Sequence, residues 1–317
     1  MPSKSAQPTI SVLRGILLGT QDQYVADQPE KRWQLCEGLS RIDCLIPSTD
    51  LLHELLSKPI TTCRLQVADW SREGDVVDEQ LTVLTSAWPD DAQEDDSLYR
   101  LPLDICPAEG VFMGILELIE TLNVPPLHRM MVRVFRERDV VARYWTTPAS
   151  AKHHHAFPGG LAAHSLEVAR DLAGQSSLDR HERDLCVAAG LLHDIGKLWS
   201  YTPDMFLNTA ARAMGHELIG LSRLEHELKV LENEWPDGAY ALRVVLSGCG
   251  RMRLDGSMPS SLVARLKAAD QRSCEQERSR KRPAQTWTPK SWLPPLPPVD
   301  VPNSAGTDLL DGGDWQF

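Results

Sequence analysis

Long apolar runs are missing from this 317-residue chain: none approaches eighteen residues, which argues against a membrane-spanning helix. The N-terminal MPSKSAQPTISVLRG lacks the basic-then-apolar layout of a secretory leader, so a cytoplasmic location is expected. Paired cysteines are missing as well. The seven cysteines, at 36, 44, 63, 106, 186, 249 and 274, include no CxxC, which indicates neither a disulfide framework nor a zinc knuckle. Nor is there an excess of positive charge. Lys and Arg number 33 against 44 Asp and Glu, and the net charge of −11 disfavours indiscriminate coating of a nucleic-acid backbone. No internal repeat is visible.

What charge there is lies unevenly. Acidic residues crowd at Asp90, Asp91, Glu94, Asp95 and Asp96, whereas Arg251, Arg253, Arg265, Lys267, Arg272, Arg278, Arg280, Lys281 and Arg282 gather late. A local phosphate-facing surface and a plain solvated helix face are both open readings of the second group.

The chain is long enough for two modest domains, and three textures divide it. Residues 1–106 read as a small mixed α/β module, with short helices expected at 29–39 and 49–56. Its two strand-like runs, TTCRLQVADW and EQLTVLTSAW, flank turn chemistry at Arg72-Glu73-Gly74-Asp75, and an acidic loop, PDDAQEDDS, follows. Residues 107–282 repeat apolar side chains at three- and four-residue steps, so the fold class is mainly α. Helices are expected over GVFMGILELIETL, LHRMMVRVFRERDVVARYW, LAAHSLEVARDLAG, ERDLCVAAGLLHDIGKLW, GHELIGLSRLEHELKVLENEW and SSLVARLKAADQRSCEQER. Breaks are expected at Pro125-Pro126, Pro158-Gly159-Gly160, Gly174, Pro203, Pro236 and Pro259, and N-caps at Asp179 and Ser260. Residues 283–317 are rich in proline and glycine and read as a disordered tail, a candidate docking peptide through Trp287, Trp292 and Trp315.

Four of the ten histidines fall within twelve positions: His153, His154, His155 and His164 in AKHHHAFPGGLAAHSLEVAR. The sharpest signal comes later, in AAGLLHDIGKLW. There His193 and Asp194 sit side by side at the end of an apolar helix, about 100° apart around its axis. An ionised aspartate buried beside AAGLL is costly unless a cation or several donors compensate it. With His164 upstream and Asp270 in LKAADQRS downstream, a His, His, Asp, Asp set suits a divalent cation of borderline or hard character: Mn²⁺, Fe²⁺, Mg²⁺, Ni²⁺ or Zn²⁺. Such an ion acidifies water and polarises phosphate. Lys197, one turn on, could neutralise a phosphate oxygen or simply oppose the helix dipole.

The pattern H…HD…D with HDIGK resembles the HD superfamily of metal-dependent phosphohydrolases, an all-helical fold. The longer series PASAKHHHAFPGGLAAHSLEVA…LLHDIGKLW…GHE…LKAADQRS resembles the N-terminal HD domain of MobH-type, TraI-like conjugative relaxases. It is also similar to bacterial exoribonucleases that place an OB-fold before an HD domain, which makes the first hundred residues OB-like by analogy. The resemblance implies that His164, His193, Asp194 and Asp270 are the core metal ligands, with His216 in MGHELIG serving a second ion. It implies that Asp194, Lys197 and His155 are catalytic, and that His153, His154, His155 and Lys197 line the substrate side. The chain departs from the exonuclease pattern where those enzymes carry an SHHG-like turn, here LSGCG at 246–250, so that Cys249 or His226 would have to replace the missing pair.

Three functions stay open. One is a relaxase-like nuclease acting on single-stranded DNA, with other conjugation proteins recruited by the tail. Another is a hydrolase of RNA ends or nucleotides, with Trp70 and Trp88 as candidate stacking platforms. The third is a non-catalytic HD adaptor that keeps one ion.

Overall fold

The computed structural model describes residues 9–19, 32–37, 40–46, 50, 63–72, 79–89, 98–151, 153–202, 205–247 and 258–281. The expected helix at 49–56 (Asp50 apart), the turn after Arg72, the acidic loop, Cys249 and the tail fall outside them.

Five strands open the fold: β1 (Thr9–Gly19), β2 (Arg32–Glu37), β3 (Ser40–Leu45), β4 (Cys63–Arg72) and β5 (Glu79–Pro89). They close into a barrel in the order β1-β2-β3-β5-β4, a five-stranded arrangement of the OB type. β1 makes the closure because it serves two neighbours. Thr9 to Gly15 pair with β4, and Ile16 to Gly19 pair with β2. The switch falls at Gly15, where a side chain would stand 2.7 Å from the Cys36 carbonyl oxygen. β3 and β5 run parallel through Cys44 and Leu45 opposite Thr82 and Val83.

β2 corrects one expectation. In place of the helix expected at 29–39, Arg32–Glu37 is a strand. Its alternation explains why: Trp33 and Leu35 enter the barrel core with Leu17, Cys44, Ile46, Val67 and Leu84. Cys36 and its partner Ile16 point the other way and join the core of the helical region. Both faces are buried, and six residues are too few for helical periodicity to be told from that. The expected runs at 61–70 and 79–88 are β4 and β5. An ion pair between Arg41 and Asp104 links β3 to the chain leading into the helices.

The helical region begins with α1 (Val111–Glu120), α2 (Pro125–Arg136) and α3 (Arg138–Arg143). The single helix expected over 127–145 is broken at Glu137, whose ψ of 133° is extended. Next come α4 (Gly160–Ala173), α5 (Arg180–Leu192) and a short 3-10 helix (Ile195–Trp199). The last three are α6 (Thr209–Glu234), α7 (Pro236–Leu246) and α8 (Met258–Lys281). Asp179 caps α5 in a full capping box with Glu182. Pro236 marks the expected break between α6 and α7 and opens α7 at its first turn, where a missing N–H costs nothing. Pro125 does the same for α2. Ser260 does not cap α8, which is already helical at Met258.

Two close approaches draw the helices together around His164 and Asp194. α4 and α5 touch at Gly190, where a Cβ would lie 2.7 Å from the Cα of Ala169. The 3-10 helix meets α6 at Gly196, where a Cβ would lie 1.9 Å from the His216 carbonyl oxygen. Among the described residues, no helix is long and apolar enough to cross a membrane.

Candidate metal centre

α4 brings His164 to the centre of the helical region, fully buried. α5 ends at Leu192, and the backbone N–H of His193 still donates to the Ala189 carbonyl, so His193 closes the helix facing His164. Asp194 comes next, at the tightening into the 3-10 helix, and α8 supplies Asp270 from the opposite side. His164 Nε2 lies 3.3 Å from His193 Nε2, 3.1 Å from Asp270 Oδ1 and 3.5 Å from Asp194 Oδ2. His193 Nε2 is also 3.5 Å from Asp194 Oδ2. Ligand atoms about 2.1 Å from one ion stand roughly 3.0–3.4 Å apart, so the spacing fits a single divalent cation.

Proton bookkeeping tests that fit. His193 Nδ1 is 2.9 Å from the Gly190 carbonyl oxygen, which can only accept, so the proton is on Nδ1 and Nε2 carries a lone pair. His164 Nδ1 is 3.0 Å from Ser273 Oγ, and that hydroxyl donates onward to Glu167 Oε2 at 2.7 Å. Glu167 is ionised. Burial alone would raise its pKa, but His155, Arg280 and Ser273 together lower it to about 2. Ser273 therefore accepts from His164 Nδ1–H, and in the neutral ring His164 Nε2 carries the lone pair. Two bare imidazole nitrogens thus face each other beside two carboxylate oxygens. These are four acceptors without a proton between them, and a cation is what makes the cluster stable.

The electrostatics agree. Burial lowers the pKa of His193, keeping it neutral. Burial would raise that of Asp194, but the Lys197 ammonium and the hydrogen bond from His216 help hold its carboxyl well below the usual range.

Other expected residues surround this cluster at different depths. Lys197 is buried and donates to Asp194 Oδ2 (2.6 Å) and the Ala149 carbonyl (3.0 Å), which engages two of its three N–H groups. His216 Nε2 lies 2.9 Å from Asp194 Oδ1, the carboxylate oxygen turned away from the two imidazoles. It reaches there because Gly215, at φ 81°, kinks α6 just before it. His226 is 84% exposed and lies near Glu227, on the outside of α6. Tyr144 is wholly buried and donates to the Leu191 carbonyl, which removes it as an accessible nucleophile.

The three consecutive histidines part company. The loop is folded on itself: the Ser150 hydroxyl donates to the His154 carbonyl and accepts from the His153 N–H, while the Ala149 N–H donates to the His155 carbonyl. His153 is exposed. The ring of His154 packs 5.3 Å from that of His164. His155, at φ 46°, is buried with Nε2 3.2 Å from Glu167 Oε2, close enough to pair although not aligned as a hydrogen bond. Gly160 must be glycine, since a Cβ there would sit 1.9 Å from the His155 carbonyl oxygen.

Three residues at the site carry no expectation from the sequence: Glu167, Ser273 and Cys274. Each lies one helical turn from an expected ligand, at His164 + 3, Asp270 + 3 and Asp270 + 4, and that spacing was the available signal.

Comparison with known proteins gives the class first. Residues 161–273 match the family model for the HD domain, a stretch that runs from the first turn of α4 to Ser273 and contains all four converging residues. The chain thus contains an HD domain. More particular relatives are the 3'-5' exoribonucleases YhaM of Bacillus subtilis strain 168 (26% identical over 171 residues) and of Oceanobacillus iheyensis (28% over 157). That of Shouchella clausii is 29% identical over 110 residues, 33% of this chain and 34% of its own. The Bacillus subtilis match covers 52% of each chain, so this chain spans about half the length of the curated relatives it matches. No solved structure matches it significantly.

Proposed function

We propose that this protein is a metal-dependent phosphodiesterase that shortens single-stranded RNA from its 3' end. The carrying observation is the convergence of two Nε2 lone pairs and two ionised carboxylates from α4, α5 and α8 on one point. A divalent cation held by His164, His193, Asp194 and Asp270 supplies Lewis acidity toward a phosphate and makes water acidic enough to attack at neutral pH.

The chain's own residues do the rest. Lys197 and His216 grip the two oxygens of Asp194 from different sides and fix its orientation. Burial keeps His154 neutral, with its pKa lowered to about 4, so it lines the pocket wall as an uncharged imidazole. His216 has the opposite setting. Burial would lower its pKa, but Asp194 raises it, which suits a proton donor; a second ion on Asp194 Oδ1 would claim the same nitrogen. The closed barrel of β1–β5 supplies an OB-type surface, and such surfaces grip single strands.

The conjugative-relaxase reading rests on the motif resemblance alone, since the relatives found carry exoribonuclease names. It is the rival in the test. Purified protein with Mn²⁺ is incubated with 5'-labelled single-stranded RNA, single-stranded DNA and supercoiled transfer-origin DNA. A ladder shortening from the RNA 3' end, abolished by Asp270→Ala, is expected. Nicking of the supercoiled DNA with RNA left intact would replace this reading by the relaxase. Bound Mn²⁺ with no turnover of any substrate would leave the adaptor.

A further inference from the structure

The donors around His164 form two groups. His164, His193 and Asp270 place a ligand atom each within 4.8 Å of one another, and so do His154, His164 and Cys274. The first belongs to the centre already described. The second shares His164 with that centre, adds His154 and Cys274, and differs in chemistry, with two nitrogens and a sulfur.

Cys274 follows Ser273 on α8 and is 8% exposed. Its thiol points back along the helix to Asp270, with Sγ 3.6 Å from Oδ1, the oxygen that faces His164. His154 approaches from the loop before α4, and its Nδ1 is buried with no hydrogen-bond partner. Because His164 Nδ1 is committed to Ser273, Nε2 is the nitrogen that both groups must use. Thiolate and imidazole prefer Zn²⁺, Cu⁺ and heavier thiophilic ions to Mn²⁺ or Mg²⁺.

We propose that His154, His164 and Cys274 form a second, soft-metal site that excludes the ion of the main centre by taking His164 Nε2 away from it. A thiophilic ion entering the pocket forms a metal–sulfur bond as the Cys274 thiol gives its proton to solvent, one proton per ion. The ion turns toward α8 and the 153–155 loop, and His193 is left without its share of the centre. A soft metal would thus switch off the site, without touching Asp194. The inference rests on His164 Nε2 being a ligand of the working ion, and the test separates the two.

The full-length protein is first titrated with Mn²⁺ and the free ion read by electron paramagnetic resonance. Cd²⁺ is then added as the probe, with thiolate-to-metal absorbance and proton release followed together. Expected is one equivalent of Cd²⁺ that raises the charge-transfer band, releases a proton and returns Mn²⁺ to solution. Cys274→Ser should lose the band and the proton at that first equivalent and keep its Mn²⁺ against Cd²⁺. His154→Gln should weaken Cd²⁺ and leave Mn²⁺ uptake in place. If Mn²⁺ binds but the band survives Cys274→Ser, or if both ions sit on the protein together, the second site is overturned while the main centre stands. If Mn²⁺ does not bind at all, the main centre falls, and the second site as a competitor for it falls too.

Discussion

The barrel and the helical region bury their interiors in different ways. Among the described residues, the barrel core of Leu17, Trp33, Leu35, Cys44, Ile46, Val67 and Leu84 contains no ionisable group besides its cysteine. Every buried polar or charged side chain described, from Arg136 to Glu277, lies in the helical region. Burial of such groups is costly unless each finds a partner, so their placement says where chemistry is concentrated. Even within the helical region the buried acids divide. Asp184 accepts from the backbone N–H groups of Asn123 and Val124 at the start of α2, and Glu227 pairs with Arg133. Both are satisfied from within the protein. In the cluster at His164 and His193, by contrast, two imidazole nitrogens face each other beside two carboxylate oxygens, an arrangement that suits a cation.

That contrast can be broken most directly at Asp194. Asp194→Ala should remove Mn²⁺ binding and also leave Lys197 buried without its carboxylate, a loss of about 3–5 kcal/mol. Metal analysis and denaturant unfolding check the two halves. In the barrel, Leu84→Ala should cost about 2–5 kcal/mol of stability, yet calorimetry should show Mn²⁺ affinity unchanged. Should affinity fall with it, the two regions are not separable in function. Ser273→Ala leaves all four ligands of the main centre in place but removes the acceptor that fixes the Nδ1–H tautomer of His164; Mn²⁺ affinity should drop about 10–100-fold with the fold intact by circular dichroism. The mildest change is expected in acid. The Glu167 pKa is lowered from 4.5 to about 2, so its contribution is complete above pH 4.5 and is lost as the pH falls toward 2. Glu167→Gln should flatten that part of the acid-unfolding curve, and an unchanged curve would count against the link between α4 and α8.

Much of this is legible in the sequence. The helices over 110–122, 161–174 and 260–278 are found where the apolar steps put them, and Asp179 caps α5 as its sequence context indicates. The grouping of His164, His193, Asp194 and Asp270 is legible too, because a buried aspartate beside AAGLL demands a partner. Strands β1 and β3 are not, because exposed Ile10, Val12 and Ile42 blur the apolar-in, polar-out alternation there, and β2 passes for helix because its six residues carry apolar side chains on both faces. The histidine run is only half legible. Three adjacent identical residues have no sequence feature to tell them apart, and the folding of the loop on Ser150 assigns one to solvent, one to the pocket and one to Glu167.

The sequence by itself determined which metal-ligating residue types are present and which segments of the helical region coil, because residue type and periodicity are local properties. Only the tertiary structure decided the protonation of those side chains. Glu167 reaches Ser273 from a different helix, and the Gly190 carbonyl is open to His193 because α5 ends there; these hydrogen bonds place the protons on Nδ1. Whether His164 and His193 present lone pairs or N–H groups to a shared ion is therefore a consequence of packing.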